Sequence, residues 1–375
     1  MRRFVVATVL LFACRVPEPP QPVGPPAPAP APDPAPQPEP VVDAAHPQHP
    51  VAPFPYAEEE VEYTNARSGL KLAGTLSVPP SAGPHPAVVL ISGSGAQDRD
   101  STVFGHRPFA VLADHFARRG LAVLRVDDRG VGGSERGGDD VTSEDFATDV
   151  EAGVAFLRAR PDVDGSRIAL VGHSEGGAIA PMVAARDPEI SGIVLLAGPG
   201  VPGQQLLLSQ ARALLEAQGM PDGVVESAVM QQAKVLQALA ESESVEEARN
   251  RVIETAGVET EAVRKAVEAQ VVPWTLFFVK HDPRGPLAEV RCPVLALGGT
   301  LDTQVVSSEN LPAIENALRT AGNTDVEVVE LKGLNHLFQP AKTGAPEEYE
   351  SSTVTFDEDA LQRVGTWLEA RLLQN

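Results

Sequence analysis

The chain is poor in cysteine, poor in basic residues, and has no long apolar run. Its only cysteines, Cys14 and Cys292, allow at most one bridge in 375 residues, which excludes a disulfide-stapled scaffold. Thirty Lys and Arg stand against 51 Asp and Glu, for a net charge of −21. Binding a phosphate backbone needs clustered cations, so a nucleic-acid partner is excluded, and the acidic balance reads as solubility. The apolar run Phe4 to Ala13 is ten residues long, well short of the roughly 20 that span a bilayer. No His, Cys and Asp residues stand at metal-ligand spacing, so neither a metal nor an organic cofactor is implied.

What is present changes character three times along the chain. Arg2 and Arg3 precede the apolar run, the pattern of an export signal over residues 1–13. The run ends Leu11-Phe12-Ala13-Cys14, which resembles the lipobox of bacterial lipoproteins. That resemblance implies acylation of Cys14 and a stable anchor in the cell envelope, since two or more acyl chains each bury many methylenes. The Arg15 that follows is unlike an inner-membrane retention signal and favours the outer membrane. With Cys14 modified no intrachain disulfide remains, and Cys292, opening an apolar stretch, reads as an inert core thiol. Residues 14–56 hold most of the proline-rich sequence, 17 of the 35 prolines lying between Pro17 and Pro55. Such a stretch has too little apolar bulk to fold and predicts a disordered tether, reaching about 120 Å at roughly 3.1 Å per residue.

From residue 57 to 375 the pattern is that of one folded domain. Val61 to Thr64 and Leu70 to Val78 predict two antiparallel strands. Apolar strands then alternate with helices: strands at Ala87 to Ser92, Leu121 to Asp127, Ile168 to Gly172 and Ile193 to Ala197. Helices are expected before Gly120, around Phe146 to Arg158, and from Glu175 to Arg186. This rhythm predicts an α/β domain with a mostly parallel, doubly wound sheet. It stops at Gly198-Pro199-Gly200. From about 203 to 286 every apolar repeat is helical, so a helical insertion, placed as a lid over the strand ends, is expected. Strands resume at Pro293 to Leu297 and Val326 to Leu331, and an amphipathic helix closes the chain at Glu358 to Leu372.

The most informative short segment is Gly172-His173-Ser174-Glu175-Gly176, between a buried strand and a helix. A serine on a sharp strand-to-helix turn needs small flanking residues for the backbones to approach, and it presents its hydroxyl above the sheet. That hydroxyl is a weak nucleophile without a base, and the base needs an orienting carboxylate. Asp302 follows the strand at Val294 to Leu297, and His336 follows the strand at Val326 to Leu331, in the chain order Ser, Asp, His. His46 and His49 fall in the tether, His106 and His115 precede the turn, His281 lies in the insertion, and His173 points elsewhere on the turn. Backbone N–H groups of Glu175 and Ser94 are the candidate oxyanion donors, with Gly95 as the fallback in the glycine-rich loop Ser92-Gly93-Ser94-Gly95-Ala96. Asp127, Asp128 and Arg129 read as a structural turn network. Trp274, Phe277 and Phe278 read as core aromatics, with lining of an acyl pocket as the other option.

Together these segments resemble the α/β-hydrolase superfamily. Ile91 to Asp100, Asp127 to Ser134, Pro273 to Phe278 with Asp282-Pro283, Cys292 to Leu297 and Gly333 to Phe338 are similar to EstD-type carboxylesterases and to the serine aminopeptidase S33-like group. The resemblance runs from about Glu60 to Leu372. It implies an α/β-hydrolase fold, a triad of Ser174, Asp302 and His336, and hydrolysis of short-acyl carboxylic esters. The alternatives are a serine aminopeptidase, which needs carboxylates such as Glu216, Glu226, Glu246 or Glu247 to hold a free amine, and a thioesterase. A non-catalytic envelope lipoprotein is a third reading of another class.

Overall fold

A computed structural model describes residues 43–257 and 260–373; the export signal, Cys14 and most of the tether lie outside them. The chain opens with an antiparallel pair, β1 (Ala57–Thr64) and β2 (Lys71–Val78). Strand β3 (His85–Ile91), helix α1 (Pro108–Ala117), β4 (Ala122–Val126), α2 (Ser143–Arg158), β5 (Val163–His173), α3 (Gly176–Arg186) and β6 (Gly192–Leu196) follow. Helices α4 (Gly203–Ala217), α5 (Asp222–Ala240), α6 (Val245–Ala256), α7 (Glu261–Gln270), α8 (Pro273–Lys280) and α9 (Arg284–Glu289) separate β6 from β7 (Val294–Gly299). Helix α10 (Ser307–Thr320), β8 (Val326–Leu331) and α11 (Glu358–Leu372) complete the domain.

The eight strands form one sheet in the order β1-β2-β4-β3-β5-β6-β7-β8, parallel from β4 to β8. Strand alternation sorts the apolar side chains to two faces. Val89, Ile91, Leu124 and Leu170 join α2, α3, α9 and α10 on one face. Val88, Leu90, Val123 and Val171 join α1 and α11 on the other. With both faces covered, the central strands are continuous apolar runs, which is why they are legible in the sequence. The chain leaves β3 for β4 on one side and returns to β5 on the other. The loops after β3 and β5 therefore diverge, and they open a crevice at the carboxyl ends of the strands.

Two boundaries and one element differ from expectation. The packed chain begins before residue 57: Gln48 Nε2 donates to the Phe356 carbonyl at 2.7 Å, and Gln48 Oε1 accepts from Thr355 N–H at 2.7 Å. Tyr56 is buried and its hydroxyl donates to Asp114 at 2.9 Å. Proline content masks this segment, because its hold on the domain comes from a few polar and aromatic side chains and not from apolar periodicity. The insertion expected to 286 is shorter as a unit, because α9 packs against α3 and α10 and buries Leu287 in the sheet cluster. Helices α4 to α8 instead share a cluster of their own, built on Leu206, Val235, Leu236, Leu239, Val252 and Val267. Helix α10 has no counterpart among the expected elements; Pro312 lies inside it and argues against a helix, although its acidic first turn and the spacing of Leu311, Ile314 and Leu318 fit one.

Candidate active site

The turn after β5 puts Ser174 at φ +55°, a left-handed conformation that an L-residue adopts only under constraint. The constraint is steric closeness. A Cβ on Gly172 would lie 2.0 Å from the Gly176 carbonyl oxygen, and one on Gly176 would lie 2.2 Å from that of Ile91. Only glycine fits either position, and the turn is held further by Ser174 N–H donating to the Leu196 carbonyl at 2.9 Å. Helix α3 starts directly after, so its positive end lies beneath the serine.

Two strands away, Asp302 leaves β7 and accepts N–H bonds at Oδ1 from Gln304 and Val305, both at 2.8 Å. Its other oxygen accepts from His336 Nδ1 at 2.9 Å, and both side chains are almost fully buried. The bond fixes the tautomer, since a carboxylate only accepts, and leaves Nε2 as the basic nitrogen. The loop carrying His336 is folded by Asn335, whose Oδ1 accepts from Leu337 N–H at 3.0 Å and Gln339 N–H at 2.9 Å. Phe338, at φ +58° and fully buried against Phe356, anchors it.

His173 has a part that its position in the sequence does not disclose. Its Nε2–H donates to the His336 carbonyl at 2.8 Å, and the two rings stand 4.8 Å apart. Burial, and then the His336 ring, push the His173 imidazole down to about 4, so it is neutral at physiological pH. It ties the His336 loop to the Ser174 turn.

The loop after β3 comes against the serine from the other side. A Cβ on Gly93 would lie 3.1 Å from Ser174 Cβ. Among the described residues, neither Ser94 N–H nor Glu175 N–H has a protein acceptor, and Ser174 Oγ makes no protein hydrogen bond. Asp128 pins the loop at two points, accepting from Ser92 Oγ at 2.8 Å and from Gln97 N–H at 2.9 Å. Burial pushes the Asp128 carboxyl up to about 8. Asp127 holds the far end through Arg99. Burial opposes its ionisation, but the Arg99 guanidinium and the Gly133 N–H keep its carboxyl below the usual range. Asp127 and Asp128 thus hold the Ser94 loop, whereas Arg129 donates to Asp149 of α2. A cavity of about 50 Å³ lies behind the Ser94 loop, bordered by Ser92, Gly93, Asp128 and Glu175 but not by Ser174. It is large enough for a few waters.

The aromatics of α8 divide. Phe277 packs on the sheet cluster. Trp274 stacks on the buried Phe278 at 5.0 Å, and its indole N–H donates to Glu175 Oε1 at 2.7 Å. Cys292 is partly buried against the sheet cluster, and burial pushes its thiol up to about 12, as an inert core thiol requires. The expectation that no His and Asp cluster forms needs one correction. Asp43, His46 and His49 converge in the docked segment, with one potential ligand atom from each lying within 4.8 Å of the others. Part of this set is already engaged: His46 Nδ1 donates to Asp43 at 2.9 Å, and His49 turns Nδ1 toward Asp43 while its Nε2 accepts from Arg107 N–H at 3.1 Å. Among the described residues no helix is long and apolar enough to cross a membrane.

A family model described as "Alpha/beta hydrolase family" matches residues 88–349. Esterase EstD of Thermotoga maritima is 25% identical over 298 residues, which cover 79% of this chain and 65% of that protein. The chain thus spans slightly under two thirds of the length of that curated relative. Among solved structures, an esterase of Pyrococcus furiosus superposes with a TM-score of 0.54 at 17% identity, over 84% of this chain and 92% of that one. An acylaminoacyl peptidase of Pyrococcus horikoshii gives 0.53 at 16% identity, over 86% of this chain and 43% of that one. At such identities these two speak to the fold alone.

Proposed function

Because the chain belongs to the alpha/beta hydrolase family, we propose that it is a serine hydrolase that cleaves carboxylic esters through an acyl-serine intermediate. One observation carries the reading: a buried Asp302–His336 pair whose loop is tied by His173 to the left-handed turn bearing Ser174. In this mechanism Ser174 Oγ attacks the ester carbonyl while His336 Nε2 takes its proton. Asp302 orients and stabilises the imidazolium. The Glu175 and Ser94 N–H groups receive the oxyanion, and a donor of this kind is worth about 100- to 1,000-fold in kcat. The tetrahedral intermediate collapses, His336 returns the proton to the leaving alcohol, and water activated by the same nitrogen releases the acid. The Ser174–His336 hydrogen bond closes when substrate is bound, as is common for such pairs.

Two observations favour an ester over a free-amine peptide. The Glu175 carboxyl is occupied by hydrogen bonds. Three of the four lid glutamates are also paired at the surface, Glu226 and Glu216 with Arg212 and Glu247 with Arg251, and the fourth, Glu246, is exposed. Purified protein should therefore turn over p-nitrophenyl acetate well ahead of aminoacyl anilides, with short acyl chains preferred in a length series. Ser174→Ala should lower ester turnover by about 10⁴-fold or more and abolish fluorophosphonate labelling. Wild-type turnover in that variant would refute the assignment.

We also propose that Cys14 carries a lipid anchor that holds the enzyme in the cell envelope, a reading that rests on the sequence alone. Cys14→Ala should move the protein from the membrane to the soluble fraction. Unchanged membrane association would overturn it.

A further inference from the structure

Glu175 does more in this structure than lend a backbone N–H. Its side chain is 3% exposed, directly after the nucleophile. Oε1 accepts from Ser143 Oγ at 2.5 Å and from Trp274 Nε1 at 2.7 Å, and the Ser94 side chain lies near enough to favour the ionised carboxyl. Ser143 begins α2, Trp274 belongs to lid helix α8, and Ser94 lies on the candidate oxyanion loop. One buried carboxyl thus bonds the start of α2 to lid helix α8 and lies beside the loop that carries Ser94.

We propose that the Glu175 side chain is a positioning residue that holds lid helix α8 and the Ser94 loop in the arrangement required for acyl transfer. The inference rests on the serine-hydrolase reading and assigns a second job within it. A buried acceptor shared by two donors fixes both, because a displaced donor loses its partner inside the protein. Trp274 is held doubly, by this bond and by its stack on Phe278, so the carboxyl fixes α8 against the turn that bears the serine. Through Ser94 the same group steadies the loop whose N–H faces the developing charge. Burial keeps the carboxyl pKa above its usual value, which limits negative charge beside the oxyanion.

Three variants test this by steady-state ester kinetics. Glu175→Ala strands the Ser143 and Trp274 donors and should lower kcat about 10- to 100-fold. Glu175→Gln keeps an oxygen at the Oε1 position and should recover at least about ten-fold of that loss. Trp274→Phe removes only the lid donor and should raise KM by more than it lowers kcat. Wild-type kinetics in folded Glu175→Ala, or a Gln variant as impaired as the Ala variant, would overturn the proposal. Should the Ala variant not fold, unchanged kcat and KM in Trp274→Phe would overturn it equally. Fluorophosphonate labelling separates this from the parent reading. Absence of label on wild-type Ser174 rejects the hydrolase mechanism, whereas a labelled wild type with unaffected Glu175 and Trp274 variants rejects only the positioning role.

Discussion

The sheet and the lid bury apolar residues in different ways. In β3, β5, β6 and β7 the stretches Ala87–Ile91, Ile168–Val171, Ile193–Leu196 and Val294–Leu297 are all under 5% exposed. Every residue there is packed, on one face or the other. In the lid, α6 buries only Ala248 and Val252, and α7 only Val267. Those helices are held by one narrow stripe each and depend on one another for order. The difference explains the placement of the site. Ser174 and Asp302, two of the three proposed catalytic residues, stand just past strands buried on both faces, whereas His336 follows the half-exposed edge strand β8 and is held by its buried loop. The helical insertion between β6 and β7 is a thinner layer, open to change at lower free energy.

Paired core substitutions are the strongest way to break this comparison. Leu195 and Leu236 are both fully buried, one in β6 and one in α5. Leu195→Ala should cost about 2–5 kcal/mol of global stability, seen as a lower denaturant midpoint. Leu236→Ala leaves a similar void, but its effect should concentrate in the lid. Amide exchange should quicken in α4 to α8 and KM should rise, while strand exchange changes little. Equal acceleration of exchange in lid and strands would mean that the two layers unfold as one unit.

A smaller effect sharpens the comparison where sheet and loops meet. The Asp128 carboxyl is held up to about 8, against an ordinary 3.8, chiefly by burial. Between those values the native group is protonated and the unfolded one ionised. Its contribution to stability is complete below about pH 4 and is lost as the pH rises through about 8. Asp128→Asn has no proton to release, so its decline in Tm between about pH 5 and pH 8 should be shallower than that of the wild type, by a few degrees. Parallel Tm profiles for the two proteins would show that Asp128 is ionised throughout.

The same contrast governs how much of the protein is legible in its amino-acid sequence. Strands buried on both faces announce themselves as apolar runs, so the central sheet and the loops after β5 and β7 can be read there, with Ser174 and Asp302; β8 is a half-exposed edge strand whose valines alternate with glutamates, and His336 is read from its place after it. The roles of the Glu175 carboxyl and the His173 ring cannot be read there. Their importance lies in contacts with Trp274, 99 residues away, and with His336, 163 residues away, and nothing local marks such partners. The same holds for the docked segment at Gln48 and Tyr56, where three or four polar contacts outweigh a proline-rich composition.

The sequence by itself determined the order of elements, because local periodicity and turn chemistry are properties of neighbouring residues. It also determined which residue types stand at strand ends. Tertiary structure alone decided that Asp302 meets His336 at 2.9 Å, that Glu175 is shared between α2 and the lid, and that α9 belongs to the sheet and not to the lid. Those outcomes depend on which surfaces close against each other, and a distance between side chains far apart in the chain exists only once the core has fixed it.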